Sequence, residues 1–211
     1  SLLEQAEKHA PLPVGTTHAK YGTLLLLGYS HACFGYLDAA RQHVDSAHHL
    51  TTKVTSAMGE SLTQIKWSGT IFQLIGDIER DAGQPGRARV MYEESLKLYQ
   101  QIRAVAGDLT DTLQDVSQTL RRLADLERNC GRLEQARPMY EEALQLDRQI
   151  GKRLGDSAET LSSLSVSLHR LADLHRESGQ LDLARPLVEE AHKLIRQVCT
   201  EQPNSPDMLQ A

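Results

Sequence analysis

Apolar residues recur at intervals of three and four along almost the whole chain, and the runs they form are cut by glycine at a fixed spacing. This is helical periodicity, with no strand-like alternation. Gly35, Gly83, Gly131 and Gly179 stand 48 residues apart. The stretch from Gly131 to Leu144 recurs at Gly179 to Ala191, at Gly83 to Leu96 and, more faintly, at Gly35 to Ala47. An unbroken period of this size predicts a solenoid of stacked helix pairs. The expected arrangement is a single array: the end of a helix over 1–11, repeats at 12–59, 60–107, 108–155 and 156–203, and the start of a further unit over 204–211. The predicted helices run over about 16–33, 37–57, 61–82, 87–106, 108–130, 133–154, 157–178 and 181–199, with Gly83 to Gly86 as a turn. Gly155 is expected as a left-handed C-terminal cap and Asp156 as the next N-cap.

Superposing the units shows what the helices bury. Leu24, Phe72, Leu120 and Leu168 coincide, as do Leu27, Ile75, Leu123 and Leu171. A small column, Gly28, Gly76, Ala124 and Ala172, lies beside them, opposite Val44, Tyr92, Tyr140 and Val188 on the second helices. Small residues facing large ones imply interlocked helices.

Composition narrows the function. Aromatics are 4% of the residues, so the core is built from Leu, Ala, Ile and Val. The net charge of −5 argues against a nucleic-acid partner, which calls for a basic footprint. The three cysteines form no CxxC pair and cannot close a complete disulfide set, which favours a reducing, cytoplasmic setting. Leu24 to Leu27, the longest apolar run, falls far short of the about 18 to 20 residues a bilayer needs, so no membrane partner is expected. Nothing resembles a phosphate-binding loop, a nucleophile elbow or HExxH, and the nine histidines have no recognised ligand spacing. Neither catalysis, a cofactor nor a metal is expected.

Leu123-Ala124, Gly131, Leu133, Ala136, Tyr140 and Ala143 have the order and spacing of the tetratricopeptide repeat (TPR), and all four units resemble it. The prolines after Ala-Arg, Pro138 and Pro186, are similar to the longer repeats of kinesin light chains. The Leu-Gly-Asp endings resemble those of the cell-polarity adaptor LGN, and Leu164 to Leu174 resembles repeats of large bacterial multidomain proteins. The resemblance implies an all-α, right-handed superhelical solenoid of about four antiparallel helix pairs. The departure is length, since an ordinary repeat has about 34 residues. The usual aromatic four positions after the buried Leu is replaced by His31, Glu79, Glu127 and His175, so packing there must differ.

The resemblance also implies that the first helix of each pair lines a concave groove. The stripe displaced from the buried face contains Leu25 and Tyr29; Gln73, Asp77 and Arg80; Arg121, Asp125 and Arg128; and His169, Asp173 and Arg176. These are the candidate partner-binding residues, with Gln73, Arg121 and His169 the sharpest because they differ between units. The Asp–Arg pairs three apart equally suit ordinary helix-surface ion pairs. Arg41, Arg89, Arg137 and Arg185 suit ties to a neighbouring helix, and Trp67 suits packing against one. The expected function is non-catalytic binding of a protein, peptide or partner helix in the groove. Its rivals are a sensor segment of a larger signalling protein and a structural solenoid that self-associates.

Overall fold

The computed structural model describes residues 14–58 and 61–201; the expected helix end over 1–11 and the further unit over 204–211 lie outside them. Among the described residues are eight helices and no strand: α1 (Val14–Cys33), α2 (Leu37–Met58), α3 (Leu62–Asp81), α4 (Pro85–Ala106), α5 (Thr110–Asn129), α6 (Leu133–Leu154), α7 (Ala158–Glu177) and α8 (Leu181–Glu201). The fold is an all-α repeat solenoid. Pro85 opens α4 instead of lying in the turn, a favoured place because the first helical position needs no N–H. The N-cap of α7 is Ser157, not Asp156; Ser157 and Thr160 form a capping box, as Ser61 and Gln64 do for α3. Gly155 has φ 77° and ψ −173°, a conformation reserved to glycine but outside the left-handed helical region.

Each helix pair turns through a Schellman motif. At Gly131 (φ 75°), the glycine N–H donates to Arg128 O and the Arg132 N–H reaches back to Glu127 O. The same two bonds recur at Gly35, Gly83 and Gly179. This explains the polar residue that replaces the usual aromatic. His31, Glu79, Glu127 and His175 occupy the helical position whose carbonyl closes the motif, and their side chains brace the turn or the next helix. Arg132 Nε donates to the buried Glu127 carboxylate, and His175 Nδ1 pairs with Gln180 Oε1 at 2.8 Å. Glu79 accepts from Arg41 of α2 at 2.9 Å, one of the expected interhelical arginine ties. Arg137 instead bonds Glu134 within its own helix at 3.0 Å.

The chain divides into two compact units, Ser1–Leu98 and Tyr99–Ala211, with the boundary inside α4. In the first, Tyr21, Ala40, Val44, Ala47, Ile71 and Ile78 form the core, with Leu24, Leu25 and Trp67 packed against it. Trp67 stacks on Tyr21 with centroids 4.5 Å apart, and the Tyr21 hydroxyl donates to Trp67 O at 2.9 Å, so this ring joins successive repeats. In the second, Ala124, Tyr140, Leu144, Leu168, Leu171, Leu174 and Ala191 form the core. The small column is in place. A Cβ added at Gly28 would lie 2.7 Å from Val44 Cγ2, and one at Gly76 would lie 2.5 Å from Tyr92 Cε1.

Candidate functional site

The predicted stripe occupies several different environments. Gln73 is buried and Leu25 lies against the core of the first unit, whereas Tyr29 is 56% exposed. Asp77 accepts from the Tyr92 hydroxyl at 2.6 Å and from Arg80 at 3.0 Å, and Arg80 also reaches Tyr92 Oη at 3.3 Å. Asp125 accepts from the Tyr140 hydroxyl at 2.5 Å. These two aspartates bind the second helix of their own pair. Burial, then the Asp125 charge and hydrogen bond, push the Tyr140 phenol above its ordinary value.

In the second unit the stripe of α5 faces the next repeat. Gln114 donates to Glu159 at 2.7 Å, Asp125 lies 3.5 Å from Arg170, and Arg128 binds both oxygens of Glu177 at 2.6 to 3.0 Å. That bond holds the Arg128 guanidinium above, and the Glu177 carboxyl below, their ordinary values. Arg121 goes deepest. Its Nη1 donates to Asp147 Oδ2 at 2.7 Å, Ser167 Oγ at 3.0 Å and the Ser163 carbonyl at 3.3 Å. Asp147, buried in α6, also accepts from Ser117 at 2.7 Å and Ser167 at 2.5 Å. Burial pulls the Arg121 guanidinium below its ordinary value, opposed by Asp147. In this arrangement Arg121 ties α5, α6 and α7 together. On α7, which carries the last described repetition of the stripe, His169 bonds Ser165 O at 2.9 Å, and Asp173 pairs with the exposed Arg176 at 2.9 Å.

A groove of about 850 Å³ lies elsewhere, between α6 and α8 over α7. Leu144, Leu171, Leu183, Pro186 and Leu187 give it an apolar lining, and Glu141, Arg148, Lys152 and Arg153 supply charge. Arg148 reaches Glu190 of α8 at 2.8 Å, while Arg153 bonds the Asp108 carbonyl. Two signals in the sequence point here: Leu183, standing where the preceding repeats have Gln135 and Arg87, and three cations in the last two turns of α6; in the structure Leu183 is 52% exposed. Among the described residues no three His, Cys, Asp or Glu side chains could hold a metal, and no helix is long and apolar enough to cross a membrane.

Comparison with known proteins fits this geometry. The family model described as tetratricopeptide repeat matches residues 115–197. This stretch is tetratricopeptide repeat. The TPR resemblance in the sequence thus holds, and the 48-residue period carries the same pattern into the first unit. The crystal structure of BtubC (BKLC) from P. vanneervenii is 19% identical with a TM-score of 0.64, covering 90% of this chain and 68% of that one. Its likeness shows the fold. A DHF58 filament structure (20% identity, TM-score 0.43) covers 89% of this chain and 96% of that one. A kinesin-light-chain-type structure with nearly identical TPR-like repeats from Podosopora anserina (14%, 0.35) covers 87% and 97%. No curated protein matches the chain.

One structural prediction follows from the Asp125–Tyr140 bond. Tyr140→Phe should cost about 1.5 kcal/mol in urea unfolding at pH 8, the scale of a hydrogen bond to a charged acceptor. Because the folded phenol titrates above the ordinary 10.0, the unfolded chain loses its proton first. Stability present below pH 10 is therefore lost as pH rises toward the folded value. The variant should show a shallower alkaline decline than the parent; equal slopes between pH 9 and 11 would contradict the assignment.

Proposed function

We propose that this chain is a non-catalytic protein-interaction module that takes a partner's acidic, leucine-bearing segment into the groove between α6 and α8. The observation that carries this reading is the pairing of an apolar lining with Arg148, Lys152 and Arg153 in a chain whose net charge is −5. An apolar recess with a few charged groups supports both affinity and orientation. A reducing compartment suits it, since Cys130 and Cys199 are free and exposed. The candidate stripe on the first helices has its accessible members in His169, Asp173 and Arg176 in the second unit.

A pull-down with the parent chain beside Leu183→Glu with Lys152→Glu, and beside His169→Glu with Arg176→Glu, separates the two surfaces. The groove reading expects the first pair to lose at least about 90% of the retained partner, a change of about 1.4 kcal/mol, and the second to keep it. Loss with the second pair alone moves binding to the stripe. Retention by both variants sinks each assignment.

A further inference from the structure

Every residue lining the groove between α6 and α8 belongs to two consecutive described repeats, and the basic charge in it is particular to that place. Where α6 carries Arg148, Lys152 and Arg153, the first repeat has Thr52, Ser56 and Ala57 and the second has Gln100, Ala104 and Val105. The three cations are in different states. Arg153 is held by the Asp108 carbonyl, Arg148 by Glu190 of α8, and Lys152 is exposed with no carboxylate partner among the described residues. The pair between Arg148 and Glu190 is a loose one. Both carboxylate oxygens lie on the same nitrogen, Nη2, at 2.8 and 3.1 Å, so the two-nitrogen fork that makes arginine–carboxylate pairs strong is not used. The two side chains are 47% and 40% exposed, and a pair so open to water contributes little.

The same pair sets the register of the groove. α6 and α8 are equivalent helices of consecutive repeats and run the same way. With Arg148 level with Glu190, Leu144 one turn earlier is level with Pro186 and Leu187, and Lys152 lies one turn further on. Along α6 an occupant thus meets an apolar step, then Arg148, then Lys152, at intervals of four residues or about 6 Å. Alternate side chains of an extended chain share one face and stand about 6.6 Å apart, which fits that spacing. Glu141, before the apolar step, repels an acid at that end and so orients the occupant. Resting on the reading of this groove as the binding site, we propose that its occupant is an extended segment with a leucine followed by acids two and four positions on, and that Glu190 is a built-in competitor for it. The first acid takes the fork of Arg148 in place of Glu190, and the second pairs with Lys152. Glu190 thereby sets specificity, because a segment without the first acid leaves it in place.

The probe is a fluorescein-labelled peptide, Ser-Leu-Ser-Glu-Ser-Glu-Ser, titrated with the full chain and followed by anisotropy, beside the same peptide with glutamine for both glutamates. Saturable binding of the acidic peptide is expected. Glu190→Gln should bind it about threefold more tightly than the parent, the worth of one exposed ion pair, and should bind the glutamine peptide no more tightly. Arg148→Gln, which puts here the residue of the preceding repeat, should erase that gain when combined with Glu190→Gln. Leu183→Glu with Lys152→Glu should abolish binding, which locates the peptide in the groove. Far-ultraviolet dichroism checks that this pair folds; should it not, Lys152→Gln alone gives the control, with about a threefold loss for the acidic peptide only. Binding that the groove variant loses but Glu190→Gln leaves at parental affinity would overturn the role of Glu190 and keep the groove, as would equal gains for both peptides. Absence of saturable binding to both parent and Glu190→Gln, or binding that the groove variant leaves untouched, would overturn both.

Discussion

Asp147→Ala is expected to lower the unfolding free energy by about 3–5 kcal/mol, the cost of stranding one member of a buried ion pair. Asp147 receives Arg121, Ser117 and Ser167, so its removal deprives the guanidinium and the buried Ser167 hydroxyl of their acceptor, while Ser117 keeps the Ala143 carbonyl at 3.2 Å. Arg121 keeps only the Ser163 carbonyl and Ser167, both neutral, and its side chain is 15% exposed, too little for water to replace the carboxylate. The matched replacement behaves differently. Arg121→Met with Asp147→Leu removes both charges and fills the space, and such exchanges are often close to neutral. Urea unfolding of the two single variants and the double variant should therefore show a coupling of at least about 2 kcal/mol, within the range found for contacting residues. Additive losses would mean that Arg121 and Asp147 do not depend on each other.

The same network shows what the sequence could disclose. Period, turn glycines and the small-beside-large columns were all legible, because each repeats every 48 residues and a repeated local rule needs no knowledge of neighbours. The destination of Arg121 was not. A first helix in such an array has faces toward its own pair, toward the adjoining repeat and toward solvent, and a stripe whose residues stand four and three apart is compatible with more than one of them. The available signal was indirect. Ser117, Ser167 and Asp147 are polar residues at buried positions, and buried polar groups need partners, which makes Arg121 their natural cation. The groove between α6 and α8 was hidden for a related reason. Its residues come from three helices in two repeats, and the Glu-Glu pairs that recur on the second helices carry no mark of a contact between repeats. Glu190, a member of one such pair, in fact bonds Arg148 across the repeats.

Gly76→Val should lower the unfolding free energy by about 2–3 kcal/mol, at the upper end of overpacking costs. A Cβ at this position would lie 2.5 Å from Cε1 and 2.6 Å from Cδ1 of Tyr92, well inside contact distance. The ring has little room to yield: Tyr92 is fully buried, and its hydroxyl is held by Asp77 and Arg80. Helix propensity pulls the other way, since glycine is the poorer helix former by a few tenths of a kcal/mol relative to valine, and the clash outweighs it. The neighbouring repeat supplies the control, for Ala124 and Tyr140 occupy the same two columns and pack in one core. There the pair accommodates a Cβ, so it is the separation of α3 and α4, rather than the tyrosine itself, that demands glycine at 76. Replacing Tyr92 with Val as well places in this pair the residue that Val44 and Val188 supply elsewhere, and removes the ring that the new side chain strikes. The double variant should accordingly be more stable than the sum of the two single losses by at least about 1 kcal/mol. Strict additivity in the unfolding curves would mean that the two helices part to admit the side chain and that position 76 senses backbone spacing alone.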